Sequence, residues 1–306
     1  MSGGKVLMAF VDKVVAGAIL PIVPKFVARR FAKRYVPGEK LEDALAVVKK
    51  LNSLGMCATV DVLGEFSTSL NEAVSAAEEY NRALEAIADE NLDSNISLKP
   101  THLGLKINRE KCYELIKELC EKARQADNFV RIDMEDSACT QDTLDMYVRL
   151  RKEYDNVGTV VQSYLRRTLD DVRKLLSSNT NLRICKGVYV EPRRIAYKDM
   201  SIINRNYMAI VELMLFNGGY AGIATHDEVL VWEVLDLIER LNPSAHKFEF
   251  QMLWGVDNEL RDILLETGHK LRIYIPYGEN WYAYSTRRLK ENPRLAGFVF
   301  KAALKR

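Results

Sequence analysis

The run Cys57–Gly64, CATVDVLG, is followed after a polar turn by Ser69–Asn91, SLNEAVSAAEEYNRALEAIADEN, and then by Asn95–Pro100, NISLKP. The first and third segments are short and rich in apolar or β-branched residues, the composition of strands. The middle segment spaces its apolar residues three and four apart, the period of an amphipathic helix. Strand, helix, strand in that order, with strands this apolar, predicts a parallel pair covered by its crossover helix.

Working outward, the same unit recurs. Further candidate strands are FVRIDMED (129–136), GTVVQSYL (158–165), LRICKGVY (182–189), YAGIATHD (220–227), FEFQML (248–253) and LRIYIPYG (271–278), which brings the number to eight. Asn108–Gln125, NREKCYELIKELCEKARQ, is the second clear helix. The glycine-rich FNGGYAG (216–222) precedes a strand and reads as a helix stop and turn. Eight such units in roughly 250 residues predict a (β/α)8 barrel, with a doubly wound open sheet as the competing arrangement. No Pro/Gly/Ser-rich linker divides the series, so we expect one α/β catalytic barrel over 39–306 after an N-terminal helical arm over 1–38.

Composition narrows the class. The 306 residues are 48% hydrophobic and 28% charged, as in a globular protein with a sizeable core. A formal charge of +2 gives no reason to expect nucleic acid as a partner. Cys57, Cys112, Cys120, Cys139 and Cys185 are odd in number and contain no Cys-x-x-Cys pair, so a reducing compartment without disulfides or a cysteine zinc site is expected. The expected location is the cytoplasm. The arm, VLMAFVDKVVAGAILPIVPKFVARRFAKRY (6–35), is apolar but interrupted by Asp12, Lys13, Pro21 and Pro24, too soon for a bilayer span. Lys25, Arg29, Arg30, Lys33 and Arg34 interleave with Phe26, Val27 and Phe31. Such a helix either rests peripherally on an anionic membrane surface or packs as an arm on its own domain.

Active sites of such barrels form at the C-terminal strand ends. There the sequence places Asp61 and Glu65, Lys99, Asp133 with Glu135, Gln162, Arg183 with Lys186, Thr225 with His226, Gln251, and Tyr274. Polar groups at all eight ends converging on one mouth are hard to explain by packing. A metal is not expected: His226, Asp133 and Glu135 lack His-x-His or His-Glu-x-x-His spacing. Lys99 or Lys186 forming a Schiff base is one alternative chemistry; a non-catalytic barrel binding a carboxylate is another. Neither a Gly-x-Ser-x-Gly elbow nor a Rossmann or Walker loop is present, so a nucleotide cofactor would be held at the barrel mouth. After the last strand, YAYSTRRLKEN (282–292) puts Tyr284, Arg287, Arg288 and Glu291 on one helical face. Two adjacent guanidiniums offer paired donors to a carboxylate or phosphate.

Nine segments together resemble one family. DVLGE (61–65), SLKP (97–100), IDMED (132–136), VVQSYLRR (160–167), RICKGVY (183–189), ATHD (224–227), FEFQML (248–253), RIYIPYG (272–278) and YAYSTRRLKEN occur in the order of the flavin-dependent proline dehydrogenases, in their short monofunctional bacterial form. The Tyr-x-x-Arg-Arg-x-x-Glu ending is the most specific of them. The resemblance implies a distorted (β/α)8 barrel of the TIM type with FAD across its mouth. It implies oxidation of L-proline to 1-pyrroline-5-carboxylate by hydride transfer to the flavin, the first step of proline catabolism to glutamate, with electrons passed to a membrane quinone.

Residue by residue, the resemblance assigns the substrate carboxylate to Arg287, Arg288 and Lys99, and the walls of the substrate site to Tyr274, Tyr284 and Leu253. Asp133 and Arg183 would serve catalysis, Arg183 beside the reactive flavin nitrogen. Met134, Gln162, Arg183, Lys186, Gly187, Val188, Thr225 and His226 would contact FAD, and Glu65 would pair with Arg287 to close the site. Cys185 and Val188 stand where the family often has Val and Ala. The bulk of Tyr274 implies proline over hydroxyproline. The chain ends soon after the last barrel segment, so a separate aldehyde dehydrogenase is expected to take the product.

Overall fold

The computed structural model describes residues 32–176, 179–282, 284 and 285. Its elements alternate as the sequence predicts, except that a helix leads. They run α1 (Leu41–Ser53), β1 (Cys57–Val62), α2 (Leu70–Asp89), β2 (Ser94–Leu98), α3 (Arg109–Gln125), β3 (Val130–Ile132), α4 (Thr140–Leu150) and β4 (Val157–Gln162). The series continues with α5 (Thr168–Leu175), β5 (Asn181–Cys185), α6 (Met200–Phe216), β6 (Tyr220–Ala224), α7 (Glu228–Leu241), β7 (Phe248–Leu253), α8 (Asn258–Glu266) and β8 (Leu271–Tyr277). All eight strands pair in parallel in chain order, and β8 closes on β1 through Cys57↔Arg272 to Val62↔Tyr277. The open sheet is thereby excluded.

Local chemistry explains the boundaries. Ser69 caps α2 by accepting from the amide of Glu72, whose carboxylate in turn accepts from the amide of Thr68 (2.7 Å). Asn108, Asp199, Asp227 and Asp257 cap α3, α6, α7 and α8 by the same kind of side-chain bond. The FNGGYAG stretch does stop a helix: α6 ends at Phe216, and Gly218 turns the chain with φ +70°. β3 is shorter than FVRIDMED suggests. Beyond Ile132 side chains enter the backbone bonding: Thr159 Oγ1 donates to the Ile132 carbonyl, and Gln162 Nε2 to that of Glu135.

The hydrophobic core lies between sheet and helices. Ala58, Val60, Ile96, Leu98, Val130, Ile132, Ile223, Phe250, Ile273 and Ile275 turn outward onto Tyr80, Leu84, Ile116, Leu119, Tyr207, Ile210 and Val234. The alternate residues turn inward, and they are polar. Thr59 bonds Asn95, Arg131 donates to the carbonyls of Thr159 and Asn181, and Glu249 takes Nε of Arg272 at 2.7 Å. None of the five cysteines is in a disulfide. Among the described residues no helix is long and apolar enough to cross a membrane. Residues 1–31 of the expected arm lie outside the described residues; its last turn, Ala32–Tyr35, is helical, and Arg34 Nε donates to the carbonyl of Gly255.

An interior of large side chains needs space, and glycine provides it. A Cβ on Gly158 would lie 2.3 Å from Nη1 of Arg131 and 2.8 Å from the carbonyl oxygen of Asn181, a backbone atom that cannot step aside. Gly158→Ala should therefore cost about 1–3 kcal/mol, the usual range for overpacking. A urea midpoint equal to that of the native chain would refute this account of the interior.

Candidate active site

Strand alternation delivers the upper inward residues to one layer: Asp61 from β1, Ser97 from β2, Arg183 from β5, Gln251 from β7 and Tyr274 from β8, with Lys99 and Asp133 just past the ends of β2 and β3. Asp133 is their meeting point. One oxygen accepts from Nη1 of Arg183 (2.7 Å) and the hydroxyl of Ser97 (2.7 Å), and the other accepts from the hydroxyl of Tyr274 (2.8 Å). Lys99 Nζ lies 2.8 Å from both oxygens of Asp61, 3.4 Å from the Tyr274 hydroxyl and 3.8 Å from Asp133. The Arg183 guanidinium sits over the Tyr274 ring at 5.1 Å. Two cations thus face two carboxylates.

Burial and the neighbouring Asp133 raise the Asp61 carboxyl against the pull of Lys99. Burial pulls the Lys99 ammonium down, but Asp61 and Asp133 outweigh it and hold its pKa above the ordinary lysine value. An amine held protonated is a poor Schiff-base nucleophile, which counts against that alternative for Lys99. Burial, reinforced by Asp133 and Asp61, raises the Tyr274 phenol well above its usual range, so it remains a donor. Arg183 is engaged through Nε and Nη1, and the amide nitrogen of Gln162 donates to the carbonyl of Glu135.

A second group surrounds the ends of β5 and β6. Lys186 Nζ pairs with Asp227 (2.5 Å), the residue that caps α7, and Thr225 Oγ1 accepts from the amide of Asp227 (3.0 Å). His226 Nε2 accepts from the backbone N–H of Leu253 (2.9 Å). Gly187 has φ +108°, and a Cβ there would lie 2.1 Å from the Tyr164 ring. Gly187 therefore packs its backbone directly against the Tyr164 ring. Val188 is exposed and Met134 buried. No cluster of three metal-ligating side chains occurs among the described residues.

The third group ties the loops. Glu135 accepts from the amide (2.9 Å) and the hydroxyl of Thr101; the same hydroxyl accepts from the amide of Phe66 (3.1 Å). The loop bearing Glu65 is thereby fastened to β2 and β3, and Glu65 is close enough to Lys99 to help stabilise its charge. Tyr284 packs with Tyr35, Val36 and Leu63 near Tyr274. Arg287, Arg288 and Glu291, and with them the Glu65–Arg287 pair, lie outside the described residues. Sequence reasoning gave no role to Ser97, Thr101, Asp227, Glu249 or Arg272. The last two were signalled by the polar residues alternating within FEFQML and LRIYIPYG.

Comparison with known proteins converges on one family. The family described as proline dehydrogenase matches residues 44–301. The chain is 38% identical over 275 residues to proline dehydrogenase 1 of Bacillus subtilis (strain 168), covering 90% of this chain and 91% of that protein. It is 35% identical over 280 residues to proline dehydrogenase of Deinococcus radiodurans, covering 90% of each. Among solved structures, proline utilization A of Bdellovibrio bacteriovorus inactivated by N-propargylglycine superposes with a TM-score of 0.81 at 25% identity, over 87% of this chain. The chain spans about a third of that longer protein, 33% of its length.

Glu135 gives the site a pH signature. Burial pushes its carboxyl up from 4.5 to about 7, against the opposing pull of Thr101 and Lys99. The folded state thus holds this proton more tightly than the unfolded chain does. That contribution to stability is complete below pH 4.5 and disappears as pH rises through 7. Across this window the native chain should lose on the order of 3 kcal/mol relative to Glu135→Gln. Urea midpoints measured from pH 4 to 8 check this, and parallel curves for the two proteins would sink it.

Proposed function

Because this chain belongs to the proline dehydrogenase family, we propose that it oxidises L-proline to 1-pyrroline-5-carboxylate with FAD as cofactor, the opening step of proline breakdown to glutamate. One observation carries the reading: the buried cluster in which Asp133 gathers Arg183, Ser97 and Tyr274 beside Lys99. The mouth also suits a flavin. The ring edge presents both acceptors and a donor, and Arg183 and Gln162, on neighbouring strands, bring guanidinium donors and an amide to that mouth. Gly187, with φ +108° and the Tyr164 ring against it, holds the β5 loop in a conformation that a side chain there would not allow.

In this reading Met134, Gln162, Arg183, Lys186, Gly187, Val188, Thr225 and His226 hold FAD. Bound FAD supplies the hydride acceptor for the ring carbon next to nitrogen; the chain supplies position, charge and exclusion of water. Charge accounting assigns the substrate's anion. Asp61 and Asp133 already balance Lys99 and Arg183, so a buried carboxylate needs further positive charge, and Arg287 with Arg288 provide it alongside Lys99. Glu65 closes the site through Arg287. Tyr274, Tyr284 and Leu253 shape a slot for the proline ring, and the Tyr274 phenol, fixed by Asp133, leaves no space for a ring hydroxyl. Electrons pass on to a membrane quinone, the N-terminal arm supplies contact with the membrane, and a separate aldehyde dehydrogenase consumes the product.

Purified protein should be yellow and should bleach anaerobically with L-proline. Colourless protein that borohydride traps on a carbonyl substrate would instead establish the Schiff-base chemistry, and ligand binding without turnover would leave only a carboxylate-binding barrel. Arg288→Lys should raise KM for proline strongly with flavin still bound. Tyr274→Phe, which removes the bond to Asp133, should lower kcat/KM by about tenfold to a hundredfold, about 1.4–2.8 kcal/mol of transition-state stabilisation. Steady-state kinetics unchanged by both substitutions would remove them from the site.

A further inference from the structure

Arg183 is held from two sides, by the Asp133 cluster and by Gln251. Nη1 is bonded to Asp133 and Ser97, whereas Nε donates to Oε1 of Gln251 at 2.6 Å. Gln251 Nε2 in turn donates to Oε1 of Glu249 at 2.7 Å, and the same oxygen takes Nε of Arg272 at 2.7 Å. Arg272 is anchored by Nη1 on the carbonyl of Ala58 (2.6 Å), and Lys270 approaches the other oxygen of Glu249 at 3.4 Å. Glu249, Gln251 and Arg183 are all buried.

We propose that Gln251, braced by Glu249 and Arg272, is the positioning residue that sets the direction of the Arg183 guanidinium, a role that rests on the reading of Arg183 as the flavin's neighbour. The amide of Gln251 has one orientation open to it. A flip would turn its NH2 toward the N–H of Arg183 and its oxygen toward the carboxylate of Glu249, two repulsive contacts in a buried place. Burial alone would raise the Glu249 carboxyl, but Arg272 and Lys270 outweigh it and hold the pKa down at about 2, so the brace remains charged at any working pH. Gly222 leaves the room this arrangement needs, since a Cβ there would stand 2.6 Å from Gln251 Nε2 and 3.4 Å from the Arg183 Cα. With Nε and Nη1 both tied, the planar group is held against rotation, which fixes the direction of Nη2 as well. A charge pair on the barrel floor thereby orients a donor at the mouth.

The test pairs a loss with a restoration. In Gln251→Met, Arg183 Nε loses its acceptor. Glu249→Gln combined with Gln251→Glu moves the charge one step along the relay while keeping every link: Arg183 to position 251, 251 to 249, and 249 to Arg272. The first readout needs no cofactor: the Arg183 Nε–H resonance in ¹⁵N–¹H spectra, assigned by its loss in Arg183→Lys. It should be protected from exchange in the native protein, lost in Gln251→Met and recovered in the double variant. The second uses the holoenzyme. Flavin reduction at saturating L-proline should slow at least tenfold in Gln251→Met while KM stays within twofold, and the double variant should return to within about threefold of native.

A protected Nε–H in Gln251→Met overturns the proposal, as does a raised KM with an unchanged reduction rate. If Gln251→Met fails to fold, the double variant decides the matter: a folded protein with an exchanging Arg183 Nε–H and slow reduction refutes the relay. A protein with no flavin for proline to bleach would instead defeat the reading of the reaction, while the resonance would still support or refute the positioning of Arg183.

Discussion

Asp133 is a carboxylate out of reach of most solvent, and everything at the mouth follows from the need to satisfy it. An isolated charge in that position would cost several kcal/mol. Here Arg183, Ser97 and Tyr274 each donate a bond, and Lys99 stands behind them. Those partners come from β2, β5 and β8 or their ends, so a single side chain ties distant parts of the ring across its interior. Removing any partner leaves the rest short of charge or of a donor. The cluster therefore behaves as a unit, in which single deletions are not expected to add.

This requirement changes what the barrel is filled with. Barrels of this class ordinarily pack branched apolar residues in their interior layers. In this chain the apolar residues face outward onto the helices, and the inward positions carry Thr59, Asn95, Arg131, Asn181, Glu249 and Arg272. Long polar side chains need length and room, and Gly158 and Gly222 supply the room. Buried ion pairs of this kind add little net stability over an apolar filling. Their contribution is to make one arrangement of the charges far better than the others, which matters where a guanidinium has to point in one direction.

The fold was legible because its evidence is periodic. Helical spacing in SLNEAVSAAEEYNRALEAIADEN and eight short β-branched runs are local patterns, and the helices and strands fall where those patterns predict. Much of the site was legible for a topological reason: parallel strands bring their ends to one side, so Lys99, Asp133, Arg183 and Tyr274 meet although up to 175 residues separate them. What the local pattern hid was the inside. FEFQML and LRIYIPYG read as strands, but their alternate polar residues also say that the inward face is charged. Which of those residues bond to which depends on the register between strands, and no single strand's sequence contains it. The β3 boundary was missed for a related reason, since side chains from a neighbouring strand satisfy backbone groups that the local sequence would give to the sheet.

The same accounting explains why the mouth alone is incomplete. Its two cations are already matched by Asp61 and Asp133, so the described cluster can orient an uncharged ring and present hydrogen bonds, but it has little positive charge to spare. An anionic substrate entering this site must bring its own neutralisation or find it elsewhere in the chain. In the proposed reading the paired arginines of YAYSTRRLKEN, which follow the last strand in the sequence, are that source. Binding energy would then come from residues late in the sequence and orientation from the strand ends. Such a division suits an enzyme whose reacting groups need fixed alignment while its charged substrate has to come and go.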